Sequence, residues 1–259
     1  MMRVSESKTT QEHGGSGRPA DHAAFAQVAR GYYAPIVALF TATLIISNIC
    51  ATKGVEFLGD RSVSLGPLQV LPIATDGAFF LFPLAYILGD VLSEVYGFRA
   101  TRRAIYYGFA ALLLTVACFA IAIRLPAASF YDNQEAFRTV LGTTPRLVIA
   151  GLAGYFVGQL LNSATLVLIK ERTKEKYLWA RLIGSTIVGE FADTLIFCSI
   201  AAGAIGIDTW QQFLNYVIIG FLWKTLCEVV VLPITYRVIA LLKKHEPSYA
   251  PTGVDPLRT

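Results

Sequence analysis

Three close pairs of ionisable side chains sit inside apolar runs of this sequence: Asp90 with Glu94, Glu190 with Asp193, and Lys224 with Glu228. Spacings of three or four residues put both members of a pair on one helical face. An ionised carboxylate is an acceptor that takes two parallel N–H donors, and a lysine supplies donors. Five acids and one lysine therefore suit the binding of a small polar ligand, or the carriage of a proton. Ser47, Asn48, Gln159, Asn162, Ser163, Ser185, Thr186 and Thr194 add uncharged polar groups, which between membrane helices also serve as packing glue. Helical steps N-terminal to Glu94 reach Asp90, Tyr86, Pro83 and Phe79, and Tyr155, Gln159 and Asn162 share a second face, so aromatic rings accompany the carboxylates and amides. Such a set fits a flat, polar, small molecule.

The elements that carry these residues are apolar. Of 259 residues, 54% are hydrophobic and only 15% charged, and the mean hydropathy is +0.54, too apolar for an ordinary solvated surface. Six stretches, roughly 33–52, 77–97, 102–124, 145–169, 181–206 and 213–242, are each long enough to cross a hydrocarbon core of ~30 Å. The fold class expected is an all-α integral membrane protein with six transmembrane helices over residues 32–245. Residues 1–31 and 246–259 read as disordered tails, and no secretory signal pattern opens the chain. The stretch 53–76 carries short β-like runs around a Gly-Asp turn and two helix-breaking prolines, Pro67 and Pro72, which predicts a short hairpin or a partly inserted loop. Gly154 and Gly158 form a GxxxG step for close helix contact.

Most of the 22 basic residues fall on one side of these spans: in the N-terminal tail, around Arg99, Arg102 and Arg103, between Lys170 and Arg181, and in the C-terminal tail. The positive-inside rule then makes both termini cytoplasmic. Tyr177 and Trp179 read as interface anchors. The net charge of +4 calls for no nucleic-acid partner. Three histidines lie outside the spans and four cysteines stand singly, which points to no metal and no cofactor.

Charges at the bilayer centre cost roughly 2.5–3.5 kcal/mol each, so six unpaired ones would cost on the order of 15–20 kcal/mol. A typical fold is stable by only ~5–15 kcal/mol. The six must therefore face inward, towards one another, a cavity or a substrate. With five acids to one lysine, at least one acid is expected to hold a proton at neutral pH and to be able to couple it to transport.

Five blocks, "SNICATK", "GAFFLFPLAYILGDVLSEVYGFRATRRAIYYGF", "GYFVGQLLNSATLVLIKERT", "STIVGEFADTLIFCSIA" and "FLWKTLCEVVVLPITY", resemble the queuosine precursor transporter family, also called the vitamin uptake transporter family, over residues 33–245. The most specific is F-P-x-x-Y-x-x-x-D-x-x-x-E-x-Y-G from Phe82 to Gly97. The resemblance implies a six-helix inner-membrane importer of 7-deazaguanine bases, chiefly 7-cyano-7-deazaguanine and its aminomethyl relative, working by secondary active or facilitated transport. It implies site roles for Asn48, Asp90, Glu94, Gln159, Asp193 and Lys224, beside Phe79, Tyr86, Asn162 and Glu190 from the residue reading. A deazaguanine offers a ring N–H beside an exocyclic amine, a pair one carboxylate can accept, and Phe79, Tyr86, Tyr155 or Trp223 could stack on its bicycle. Lys224 could donate to the ring carbonyl or neutralise Asp193 or Asp90. The partners expected are this base and membrane lipid, with a homodimer left open. A second class is the binding subunit of an energy-coupling-factor importer. An enzyme is disfavoured, because HExxH, GxSxG and Gly-rich phosphate loops are missing from the sequence.

Overall fold

The computed structural model describes residues 31–60, 63–66, 68–71, 73–142, 145–204 and 207–249. The tail expected over 1–31, all but Gly31, lies outside these, as do Pro67, Pro72 and residues 250–259. The first helix, α1 (Tyr33–Cys50), turns Ile36, Phe40, Thr43 and Leu44 inward at helical spacing. Phe40 and Leu44 close on Gly108, where any added Cβ would meet the Leu44 side chain at 2.9 Å.

Four short strands follow: β1 (Gly54–Phe57), β2 (Val63–Leu65), β3 (Leu68–Leu71) and β4 (Ile73–Asp76). β2 pairs antiparallel with β3, and β1 pairs antiparallel with β4 from Gly54↔Asp76 to Phe57↔Ile73. The 53–76 stretch is thus two nested ladders, the hairpin of the two forms expected from sequence.

Helix α2 (Phe82–Arg124) starts with a proline, Pro83, in its first turn, where a missing N–H costs no hydrogen bond. At about 1.5 Å per residue it is roughly twice as long as a bilayer core is thick. It is not continuous. Gly97 sits at φ 76°, ψ 174°, outside helical geometry, and splits it into 82–96 and 98–124, at the boundary between the second and third predicted segments. Only glycine takes that backbone position without a Cβ penalty. A short amphipathic helix, α3 (Gln134–Leu141), occupies the connection to α4 (Pro145–Arg172).

The turn from α4 into α5 (Leu178–Ala201) places three non-glycine residues, Lys174, Glu175 and Tyr177, at positive φ, each costing ~1–3 kcal/mol and persisting only where the surroundings impose it. Arg181 imposes it, donating from Nη1 to the carbonyls of Glu175 and Lys176 at 2.9 and 3.0 Å. A single 3₁₀ turn, Ala202–Ala204, ends α5. The last helix, α6 (Trp210–His245), opens with a capping box: the Gln212 backbone N–H donates to Thr209 Oγ1, and Gln212 Oε1 accepts from the Thr209 N–H.

Among the described residues five helices, α1, α2, α4, α5 and α6, are long and apolar enough to cross a membrane. The core joins Leu88, Val91 and Leu92 of α2 to Leu166, Leu182 and Ile239 of the other helices. Outward, large apolar side chains such as Leu114, Ile121, Ile149, Val230 and Leu241 are exposed, as in a helix bundle whose solvent is lipid. The two tightest-packed helices are α4 and α5. A Cβ on Gly158 would lie 2.8 Å from Asp193 Cβ, and one on Gly189 would lie 2.6 Å from Asn162 Cβ, so the GxxxG step does bring two backbones together.

Candidate functional site

The α4–α5 glycine contact sets the geometry of the buried polar groups, because it draws Asn162 and Asp193 across one helix crossing. Asn162 Nδ2 donates to Asp90 Oδ1 at 3.0 Å, tying α4 to α2. Gln159, one turn earlier, packs its amide oxygen on Gly89, beside Asp90. On the α5–α6 side Lys224 Nζ donates to Asp193 Oδ2 at 2.7 Å and lies 3.4 Å from Glu190 Oε2. The Tyr86 hydroxyl of α2 faces the Glu190 carboxylate. Glu228, one turn after Lys224, turns instead to Asp90 and Thr186. Four helices thus contribute to one buried cluster of four acids, two amides, one phenol and one ammonium.

Its hydrogen bonding is incomplete. Both oxygens of Glu190 and of Glu228, and Oδ1 of Asn162, receive no well-formed hydrogen bond among the described residues. Groups of this kind are costly to bury unless something completes them. A crevice of about 170 Å³, lined by Ile183, Thr186, Thr225, Glu228 and Val229, reaches the cluster but is too narrow for a water-sized sphere.

Glu94 belongs elsewhere. Its carboxylate is fully buried and accepts from Arg181 Nε and Nη2 at 2.8 and 2.7 Å and from Lys243 Nζ at 2.6 Å, with Lys170 Nζ at 3.5 Å. Lys170 also donates to the Glu94 carbonyl at 2.6 Å. This knot joins α2, α4, α5 and α6 at the bundle end where the Gly97 break and the α4–α5 turn lie. The chain beyond α6 covers the same end: the rings of Tyr249 and the ammonium of Lys243 are 5.2 Å apart. Glu246 accepts from the Tyr32 N–H at 2.8 Å and the Tyr96 hydroxyl at 2.6 Å.

The family model described as "Putative vitamin uptake transporter" matches residues 76–238. The chain belongs to this family. A Bacillus subtilis (strain 168) protein named "Probable queuosine precursor transporter" is 30% identical over 207 residues, covering 79% of this chain and 83% of the relative. A Haemophilus influenzae (strain ATCC 51907 / DSM 11121 / KW20 / Rd) protein of the same name is 27% identical over 184 residues, 66% of this chain and 74% of the relative. No solved structure matches the chain. As a member of the vitamin uptake transporter family with several apolar helices, this is a multi-pass membrane protein, and the matched region holds every residue of the buried cluster.

Of the residues singled out from sequence, the fold brings together Tyr86, Asp90, Gln159, Asn162, Glu190, Asp193 and Lys224. It does not bring in Phe79, Asn48 or Glu94. Phe79 lies in the turn before α2, 46% exposed, with its ring 5.0 Å from that of Phe57 on β1. The helical face extended back from Glu94 fails there because the helix has not yet begun. Asn48 is exposed on α1, while its neighbour Ser47 continues the inward face of Phe40 and Leu44 and buries its Oγ. The sequence marks Arg181 as a topology charge, yet it is only 2% exposed and grips Glu94. Glu228 carried its signal in the i,i+4 spacing to Lys224 but joins the cluster through Asp90.

Proposed function

We propose that this chain imports 7-deazaguanine precursors of queuosine across the inner membrane as a transporter sufficient in itself, and is not an enzyme. The observation that carries this reading is the buried cluster of carboxylates, amides and one lysine between α2, α4, α5 and α6, in a chain of a family whose curated relatives bear the queuosine precursor name. A deazaguanine presents its ring N–H and exocyclic amine to one carboxylate, for which Asp193 or Glu190 is placed, and its carbonyl to Lys224. Tyr86 offers a ring face beside them. Gln159 and Asn162 supply amide donors and acceptors along the opposite wall. Glu94, saturated by three cations, is a positioning residue that holds the four helices in register. The names of the relatives do not favour the energy-coupling-factor alternative.

The topology proposed has six crossings, with 82–96 and 98–124 passing separately about Gly97. The arginines at 99, 102 and 103, the Glu94 knot and both termini then lie on the cytoplasmic side, as the positive-inside rule requires.

The test is restoration of queuosine in tRNA by this chain expressed alone, in a host that neither makes the precursor nor imports it, fed nanomolar 7-cyano-7-deazaguanine. Wild type restores the modification; Asp193→Asn and Asp90→Asn, at normal membrane abundance, lose most of it. A properly inserted wild type that restores nothing refutes the reading.

A further inference from the structure

Within the buried cluster the charges divide unevenly between two sides. On one, Lys224 sits against Asp193 and Glu190. On the other, the Asp90 carboxyl of α2 and the Glu228 carboxyl of α6 lie within hydrogen-bonding reach of each other, 1% and 6% exposed. What surrounds them is largely uncharged or already committed: Asn162 of α4 on Asp90, Thr186 of α5 on Glu228 with its own hydroxyl donated to the Leu182 carbonyl. Glu94, one turn along α2, is occupied by Arg181, Lys170 and Lys243, and Glu190 of α5 by Lys224 and Tyr86. Two carboxylates sharing a desolvated site do not both stay ionised. Among the described residues neither oxygen of Glu228 receives a well-formed hydrogen bond. A proton on either carboxyl turns it into an O–H donor to the other, and supplies the hydrogen bond that is missing.

We propose that Asp90 and Glu228 hold one exchangeable proton between them and are the coupling site of the transporter, through which the proton gradient drives substrate inward. A proton taken up from the outer side converts one carboxylate to a carboxylic acid; after substrate release the pair opens to water on the cytoplasmic side, that water takes the proton and solvates both anions, so one O–H bond forms and breaks and one proton enters per cycle. This inference rests on the transport reading above and assigns Glu228 a role that the sequence pattern left open.

Two measurements on the full chain test it. Infrared spectra of the protein in nanodiscs at neutral pH show a protonated-carboxyl C=O band that Glu228→Gln removes, whatever the substrate; a wild type without that band overturns the proposal and leaves the transport reading untouched. In proteoliposomes, an inward proton gradient raises 7-cyano-7-deazaguanine accumulation by wild type at least several-fold, and in Glu228→Gln uptake with and without the gradient coincides. Wild-type accumulation that ignores the proton gradient, or follows a sodium gradient instead, overturns the proposal. A wild type with the infrared band but no uptake of this base under any gradient refutes coupling to that substrate, and with it the function proposed above.

Discussion

Glu94 and Glu228 are both buried glutamates of one helix bundle, and their surroundings are opposite. Three cations converge on Glu94, two of them within 2.7 Å. Glu228 meets another acid. The same side chain is thus over-neutralised at the end of the bundle and under-neutralised in its middle. A buried carboxylate ringed by cations is fixed, because removing any partner strands a charge in a low dielectric. One facing a second carboxylate has two near-equivalent protonation states, which is what a group that changes state during a cycle needs. Sequence spacing alone makes the two look alike.

The largest effect that separates them comes from deleting each charge. Glu94→Ala leaves Arg181 buried without its partner and is expected to cost about 3–5 kcal/mol, read as a large drop in melting temperature and membrane abundance; Glu228→Gln melts within a few degrees of wild type. Equal losses would erase the distinction. Next, Gly189→Val forces a Cβ into Asn162 and is expected to cost roughly 1–3 kcal/mol by overpacking, with transport falling further than stability because Asn162 is displaced from Asp90. The smallest effect lies beyond α6. Burial alone would raise Glu246, but hydrogen bonds from Ser248, Tyr96 and the Tyr32 N–H outweigh it and hold its carboxyl below the usual range. A depressed folded value gives stability that is present above the unfolded value of about 4.3 and lost as pH falls through the folded one. Glu246→Gln should therefore destabilise by about 1 kcal/mol at neutral pH, a deficit that closes in melts below about pH 4.

How much of this was legible in the sequence depended on range. Helix-period spacing put Asp90, Glu190, Asp193 and Lys224 on inward faces, where the fold gathers them, and the GxxxG step marked the α4–α5 contact, because these signals are local. The break at Gly97 coincides with the last residue of the second predicted segment. Arg181 was misread because a basic residue at the start of an apolar run is the usual mark of a membrane boundary, and nothing local tells it from one that turns inward to an acid 87 positions away. Phe79 failed for a different reason: a helical face can be extended on paper past the point where the helix begins. Asn48 rests on the resemblance and on no helical face; on α1 it lies about 100° from Ser47, and it is Ser47 that continues the inward face.

The glycine contact between α4 and α5 also bears on movement. With Gly158 against Gly189 and Asp193, and Gly154 against the Asp193 backbone oxygen, the two helices touch backbone to backbone. Close-packed surfaces of this kind do not slide by fractions of an ångström without a clash. Any rocking motion that opens the cluster first to one side of the membrane and then to the other must leave these two helices together as a fixed frame. The contacts left to shift are then those that α2 and α6 make with this frame and with each other, and Asp90 and Glu228 belong to the last of these.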